Sequence, residues 1–87
     1  MIDSINRFVN CLLAGNQDSA WEVLLEEINN GQDSLTIYHH IITPSMRKIG
    51  ELWQENKISV ADEHLATTTC DFTISRYHYW QKIEIKH

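Results

Sequence analysis

The stretch Ser34–His64, SLTIYHHIITPSMRKIGELWQENKISVADEH, carries the pattern on which the fold turns. Leu35, Tyr38, Ile42, Met46, Ile49 and Trp53 recur at steps of three and four, the spacing that lines side chains along one face of a 3.6-residue helix. Ser34 is placed to cap that helix. The chain's single proline, Pro44, falls inside it, where a missing N–H and a clash with the carbonyl four residues back predict a kink near Ile41 or two abutting helices. The apolar phase survives across the proline, which favours the kink. Asn56-Lys57-Ile58 then reads as a short turn. Ser59-x-x-Asp62 reads as a capping box opening another helix, with Asp62 where the helix dipole favours negative charge.

Outward from this stretch the same periodicity holds. Ile2, Ile5, Val9 and Leu12, widened by Phe8 and Leu13, form a first stripe that ends at Gly15, a residue suited to the positive φ of a helix C-terminus. Asp18 is an N-cap candidate for a second helix carrying Trp21, Leu24, Leu25 and Ile28, closed by Asn29-Asn30-Gly31. Beyond the capping box, Ala61, Leu65, Phe72, Tyr79 and Ile83, with Thr68, are expected to form the apolar face of the last helix. The alternating Lys82-Ile83-Glu84-Ile85-Lys86 suggests fraying there or a connection to something else. Helices over about 2–14, 18–30, 35–55 and 60–82, joined by short turns, predict one all-α domain spanning 1–87, an antiparallel four-helix bundle.

Composition excludes several classes. At 87 residues with 43% hydrophobic and 22% charged side chains, the chain has room for one modest core and no second domain. A net charge of −5 with Arg47, Lys48 and Lys57 scattered argues against direct nucleic-acid binding. Glu22, Glu26 and Glu27 read as a solvated outer face. Cys11 and Cys70, far apart and each inside an apolar pattern, read as small buried hydrophobes rather than a metal motif or a disulfide. No apolar run approaches the roughly 20 residues of a membrane span, and Met1-Ile2-Asp3-Ser4 lacks the features of a signal peptide, so the cytoplasm is the expected compartment.

Chemistry concentrates between Ile49 and His64. A tight turn between the last two helices brings Trp53, Glu63 and His64 to one end of the bundle. Taken singly, Trp53 reads as a core aromatic, His64 as a border histidine and Glu63 as a surface carboxylate in a first helical turn; their clustering is what raises a ligand site. Catalytic readings are weaker. A di-iron bundle needs Glu-x-x-His on two helices and only Glu84-x-x-His87 occurs, His39-His40 diverge, and His64 and His78 lie four turns apart, so neither a di-iron nor a zinc centre is indicated. Nucleophile-elbow, phosphate-loop and dinucleotide motifs are missing.

The runs Ile42–Trp53 and Ile58–Thr67 resemble the helical cap of cobalamin-binding modules, most closely the branch found in B12-dependent sensors and light-responsive regulators. That branch carries Trp, nine residues, then Glu-His; here Trp53, the nine residues Gln54 to Asp62, and Glu63-His64 have the same arrangement. Methionine synthase and the corrinoid proteins of methyltransferase systems have similar caps. The resemblance is weak over the first two helices and specific over the last two. It implies that Trp53 packs on the upper ligand of adenosylcobalamin or methylcobalamin, that Glu63 hydrogen-bonds to it, and that His64 approaches the upper axial side, becoming a cobalt ligand once an adenosyl group has left. It also implies a companion α/β domain whose Asp-x-His-x-x-Gly motif supplies the lower ligand. That motif does not occur in this chain, which is expected to hold about half of a site.

The resulting expectation is a cobalamin-binding cap of a sensor, regulator or carrier that is not an enzyme by itself. The rivals are a cofactor-free helical module that pairs with a second copy or another helix, and the cap of a methyl-carrying corrinoid protein.

Overall fold

A computed structural model describes residues 2–85. The chain forms four helices: α1 (Ile2–Leu13); α2 (Gln17–Asn29); a composite α3 made of Ser34–Ile37, a π turn over Tyr38–Ile42 and Thr43–Gln54; and α4 (Val60–Ile85). Among the described residues there is no strand. The long α4 stretches the bundle to 46 × 21 × 17 Å. The alternation over residues 82–86 does not break α4, which stays helical to Ile85; Lys86 lies outside the described residues.

Local chemistry explains the boundaries. Gly15 adopts φ +68° after α1, and Gly31 adopts φ +87° after α2, a region where side chains crowd the following carbonyl. The caps fall beside the expected residues. Asn16, not Asp18, caps α2 by accepting from the Ser19 N–H at 3.0 Å. Asp33, not Ser34, caps α3 by accepting from the Thr36 N–H at 2.9 Å. Each substitution places the side-chain oxygen three residues before the amide it serves, a reach that Asp18 and Ser34 lack because both already lie within the helix. At α4 the capping box forms as expected: the Ser59 N–H donates to Asp62 and the Asp62 N–H donates to Ser59 Oγ, both at 3.0 Å. The bonds to Ser59 hold the Asp62 carboxyl below its ordinary pKa.

Pro44 acts one turn upstream of itself. Helical backbone continues through the expected kink region, but Tyr38–Ile42 widens into a π turn in which the Thr43 N–H donates to the Tyr38 carbonyl. Opening the register by one residue relieves the carbonyl that a proline ring would strike, and Pro44 itself sits in the first turn of the next α segment, where no N–H is needed. The Ser45 hydroxyl, fully buried just beyond, has no hydrogen-bond partner.

The core is built from Phe8, Val9 and Leu12 of α1, Ala20, Trp21, Val23 and Leu24 of α2, and Ile37, Ile41, Ile42 and Ile49 of α3. Phe8, Val9, Leu12, Trp21, Leu24, Ile42 and Ile49 belong to the stripes read from the sequence, Leu35 and Trp53 of those stripes are exposed instead of buried, and Ala20, Val23, Ile37 and Ile41 are core residues that the reading did not name. The side chain of Ile2 lies outside the described residues.

The α4 assignment is overturned. Ala66, Thr69, Cys70, Thr73 and Tyr77 face the core, whereas Leu65, Phe72, Tyr79 and Ile83 are exposed, as is Ala61, and Thr68 is only half-buried. The physical reason is that the inward threonines satisfy themselves. Thr69 Oγ1 donates to the Leu65 carbonyl at 2.7 Å, and Thr73 Oγ1 donates to the Thr69 carbonyl at 2.8 Å. A hydroxyl bonded to its own helix is buried at little polar cost, and its small bulk admits close helix packing. Cys70 is buried as expected; Cys11 is only half-buried.

Two outcomes test this packing. Because a buried hydroxyl without a partner costs about 1 to 3 kcal/mol, Ser45→Ala should raise the thermal midpoint; a drop of several degrees would mean the hydroxyl is bonded in solution. Burial pushes the Cys70 thiol from 9.0 up to about 11. The folded chain then retains a proton that the unfolded chain loses, so this contribution to stability is present below about pH 9 and declines as pH rises toward 11. At pH 8 a thiol reagent should modify Cys11 well before Cys70, and equal rates would contradict the burial of Cys70.

Candidate functional site

The α3–α4 hairpin gathers the residues singled out by sequence. Residues 55–59 reverse the chain, with Asn56 at φ +59°, the Asn56 N–H donating to the Trp53 carbonyl at 3.0 Å and the Lys57 N–H to the Leu52 carbonyl at 2.8 Å. These bonds close the end of α3 onto its own last turn, so Trp53 stands at the tip and α4 restarts at once through its capping box. Glu63 and His64 occupy the opening turns of α4. Successive helical positions diverge by about 100°, and the two side chains separate accordingly. Glu63 is half-buried while His64 is exposed, the reverse of the border histidine and surface carboxylate expected from the sequence, because the inward face of α4 is not the stripe from which that expectation was read.

Trp53 retains 46% of its surface, so it is not the core aromatic that its stripe would suggest. Thr67 Oγ1, one turn along α4, donates to Glu63 Oε1 at 3.2 Å and orients that carboxylate. The sequence reading did not single out this partner, although its position four residues after Glu63 was a visible signal. Among the described residues His64 has no side-chain hydrogen bond, which leaves its ring nitrogens free for an external group. Leu65, 44% exposed, flanks the tip, and its side chain meets Gly15 in the α1–α2 turn: a Cβ added at Gly15 would lie 3.2 Å from Leu65 Cδ1. The α1–α2 turn therefore supports the opening turns of α4 beneath the site.

An indole, a carboxylate with an internal positioning partner and an unpaired imidazole can together cover a flat apolar body and meet polar groups on it. They cannot assemble a metal centre alone: among the described residues no three His, Cys, Asp or Glu side chains come together as one. The B12 binding domain family matches residues 4–76. The chain belongs to that family. It is the helical cap of a cobalamin-binding module, the kind of domain typically paired with a companion B12-binding domain. Comparison with curated proteins finds no match. Among the described residues no helix is long and apolar enough to cross a membrane.

The opposite end of the cap carries a second polar assembly that the sequence reading passed over. Tyr77 OH lies 2.6 Å from Ser34 Oγ, Gln81 Nε2 donates to Ser34 Oγ, and Tyr38 OH lies 3.0 Å from His78 Nε2. Trp21, Tyr77 and Trp80 stack around it, with ring centroids 6.2 to 6.4 Å apart. Arg76 lies over the Trp21 ring at 5.4 Å and pairs with Asp18 at 3.0 Å. This network ties α2 and α3 to the second half of α4, while Ala66, Thr69 and Cys70 pack the first half into the core. Glu26 and Glu27 are likewise engaged, by Arg7 and by Ser4 Oγ, so the acidic face of α2 helps join it to α1.

The exposure of Trp53 sets its stability cost. Trp53→Ala in this chain should lower stability by about 1 kcal/mol, well under the roughly 3 to 5 kcal/mol of a buried tryptophan, while Leu24→Ala costs about 2 to 5 kcal/mol. Chemical denaturation of both variants checks this; equal losses would return Trp53 to the core.

Proposed function

We propose that this cap covers the upper axial face of a cobalamin in a B12-dependent sensor, regulator or carrier, and that it performs no catalysis by itself. The observation that carries the reading is the joint placement of Trp53, Glu63 and His64 on the α3–α4 tip, with the indole and imidazole open to an external body. The donor set suits the cofactor: the indole face matches an apolar ligand surface, the Thr67-oriented carboxylate of Glu63 accepts hydrogen bonds from ribose hydroxyls, and the unpaired His64 presents a nitrogen lone pair.

Cobalamin supplies a reactive cobalt–carbon bond when bound. The chain's own residues shield it. Trp53 and Leu65 would exclude water from the cofactor, Glu63 would hydrogen-bond to its organic ligand, and His64 would offer an imidazole nitrogen toward the cobalt. The companion B12-binding domain would hold the rest of the cofactor. Dimerisation without a cofactor accounts for none of the three tip residues, and this favours the lid over the cofactor-free reading.

Half of a contact surface gives weak binding, because the costs of association are incurred in full while only part of the contact is gained. Titrated with adenosylcobalamin, the 87-residue chain should leave the corrin spectrum unchanged into the range of about 100 µM. Joined to its companion domain it should bind, and Trp53→Ala or His64→Ala should then weaken retention of the adenosyl form about tenfold or more, with His64→Ala also altering the spectrum after the upper ligand is lost. Tight binding by the cap alone, or retention indifferent to both substitutions, would overturn the lid reading.

A further inference from the structure

The apolar face that α4 turns away from its own core has a periodicity of its own. Ala61, Leu65, Thr68, Phe72, Ser75 and Tyr79 follow one another at alternating steps of four and three. A 3.5-residue spacing is the one that keeps a face in line with a second helix packed lengthwise on it. The large members are open, with Leu65 at 44%, Phe72 at 55% and Tyr79 at 67% exposure. The positions between them are all small.

We infer that this face binds a second copy of the chain through an antiparallel, two-fold pairing of α4 with α4 centred near Cys70. The register follows from size. In antiparallel pairing, facing positions have a constant sum of residue numbers. A single value places Leu65 opposite Ser75 of the second copy, Phe72 opposite Thr68 and Tyr79 opposite Ala61, so every large side chain meets a small one. The arrangement is isologous, each contact occurring twice, and it closes at a dimer. Charge agrees on one flank, where Asp62 comes diagonally beside Arg76 of the second copy, two residues off the facing register, again twice. Asp62 is exposed and Arg76 half so, even with Asp18 beside it. On the other flank, one residue from the two-fold axis, Asp71 comes diagonally beside its own copy, the one repulsive pair.

Size sets the strength. The exposed portions of these side chains amount to roughly 400 to 500 Å² per copy, about 900 Å² in total, at the weak end of specific interfaces. The dimer is therefore reversible, with a dissociation constant on the order of 100 µM. It requires no cofactor, and it shares Leu65 with the lid.

Sedimentation equilibrium of the 87-residue chain from about 10 µM to 1 mM should show conversion from the 10.2 kDa monomer to a dimer and no further. Phe72→Gln, at an exposed position and with helicity checked by circular dichroism, should abolish association. Asp71→Asn should strengthen it at least about threefold by removing the repulsive pair, a gain that no unfolding artefact produces. A monomer throughout the range would overturn the inference and leave the companion domain as the occupant. Growth beyond a dimer, or a dimer indifferent to both substitutions, would equally overturn it.

Discussion

Burial of a small-residue face on α4 is the constraint on which the rest of the bundle depends. Ala66, Thr69, Cys70 and Thr73 let α4 lie close against its neighbours, and the threonine hydroxyls are already spent on carbonyls of their own helix. A helix that satisfies its polar groups internally is free to choose its inward face by shape. Choosing the small face leaves Leu65, Phe72 and Tyr79 outside, where covering them is work for another surface. Core formation and recognition are thus divided between two faces of one helix.

Both halves of α4 are anchored, and only its opening turns present side chains at the tip. Tyr77, Trp80 and Gln81 join Trp21, Tyr38 and Ser34 in a continuous aromatic and polar assembly. The opening turns of α4 are held by the capping box, by the tight turn from α3 and by Leu65 against Gly15. A short turn with two backbone bonds to the end of α3 loses little further entropy when a ligand arrives. Such a tip is suited to holding an indole and an imidazole at a fixed spacing on a cofactor surface.

The π turn serves the same end from the other side of α3. It absorbs the proline without breaking the helix, so the apolar phase set by Tyr38 and Ile42 carries through to Ile49, and Trp53 emerges at the tip on a continuous rod. The cost sits at Ser45, whose buried hydroxyl is the local imperfection of an otherwise satisfied interior.

Periodicity and capping chemistry made much of this legible in the chain itself. The four helices, the core stripes of α1 and α2, Gly15 at its turn and the capping box at Ser59 and Asp62 all rest on interactions a few residues apart, and neighbours in sequence decide those. The direction in which α4 faces was not legible. Its apolar residues lie on two sides, so a period of 3.6 fits either, and the larger, more hydrophobic stripe is the natural reading. Only packing decides between them: three other helices leave a groove that small, self-bonded threonines fit and Phe72 does not. The same reasoning covers Leu35 and Trp53, which share a stripe with buried residues yet sit at the two ends of α3, where the bundle offers nothing to cover them. Sequence thus determined which faces could be buried, and tertiary structure decided which were, because burial depends on the shape of the partner surface as well as on the character of the face.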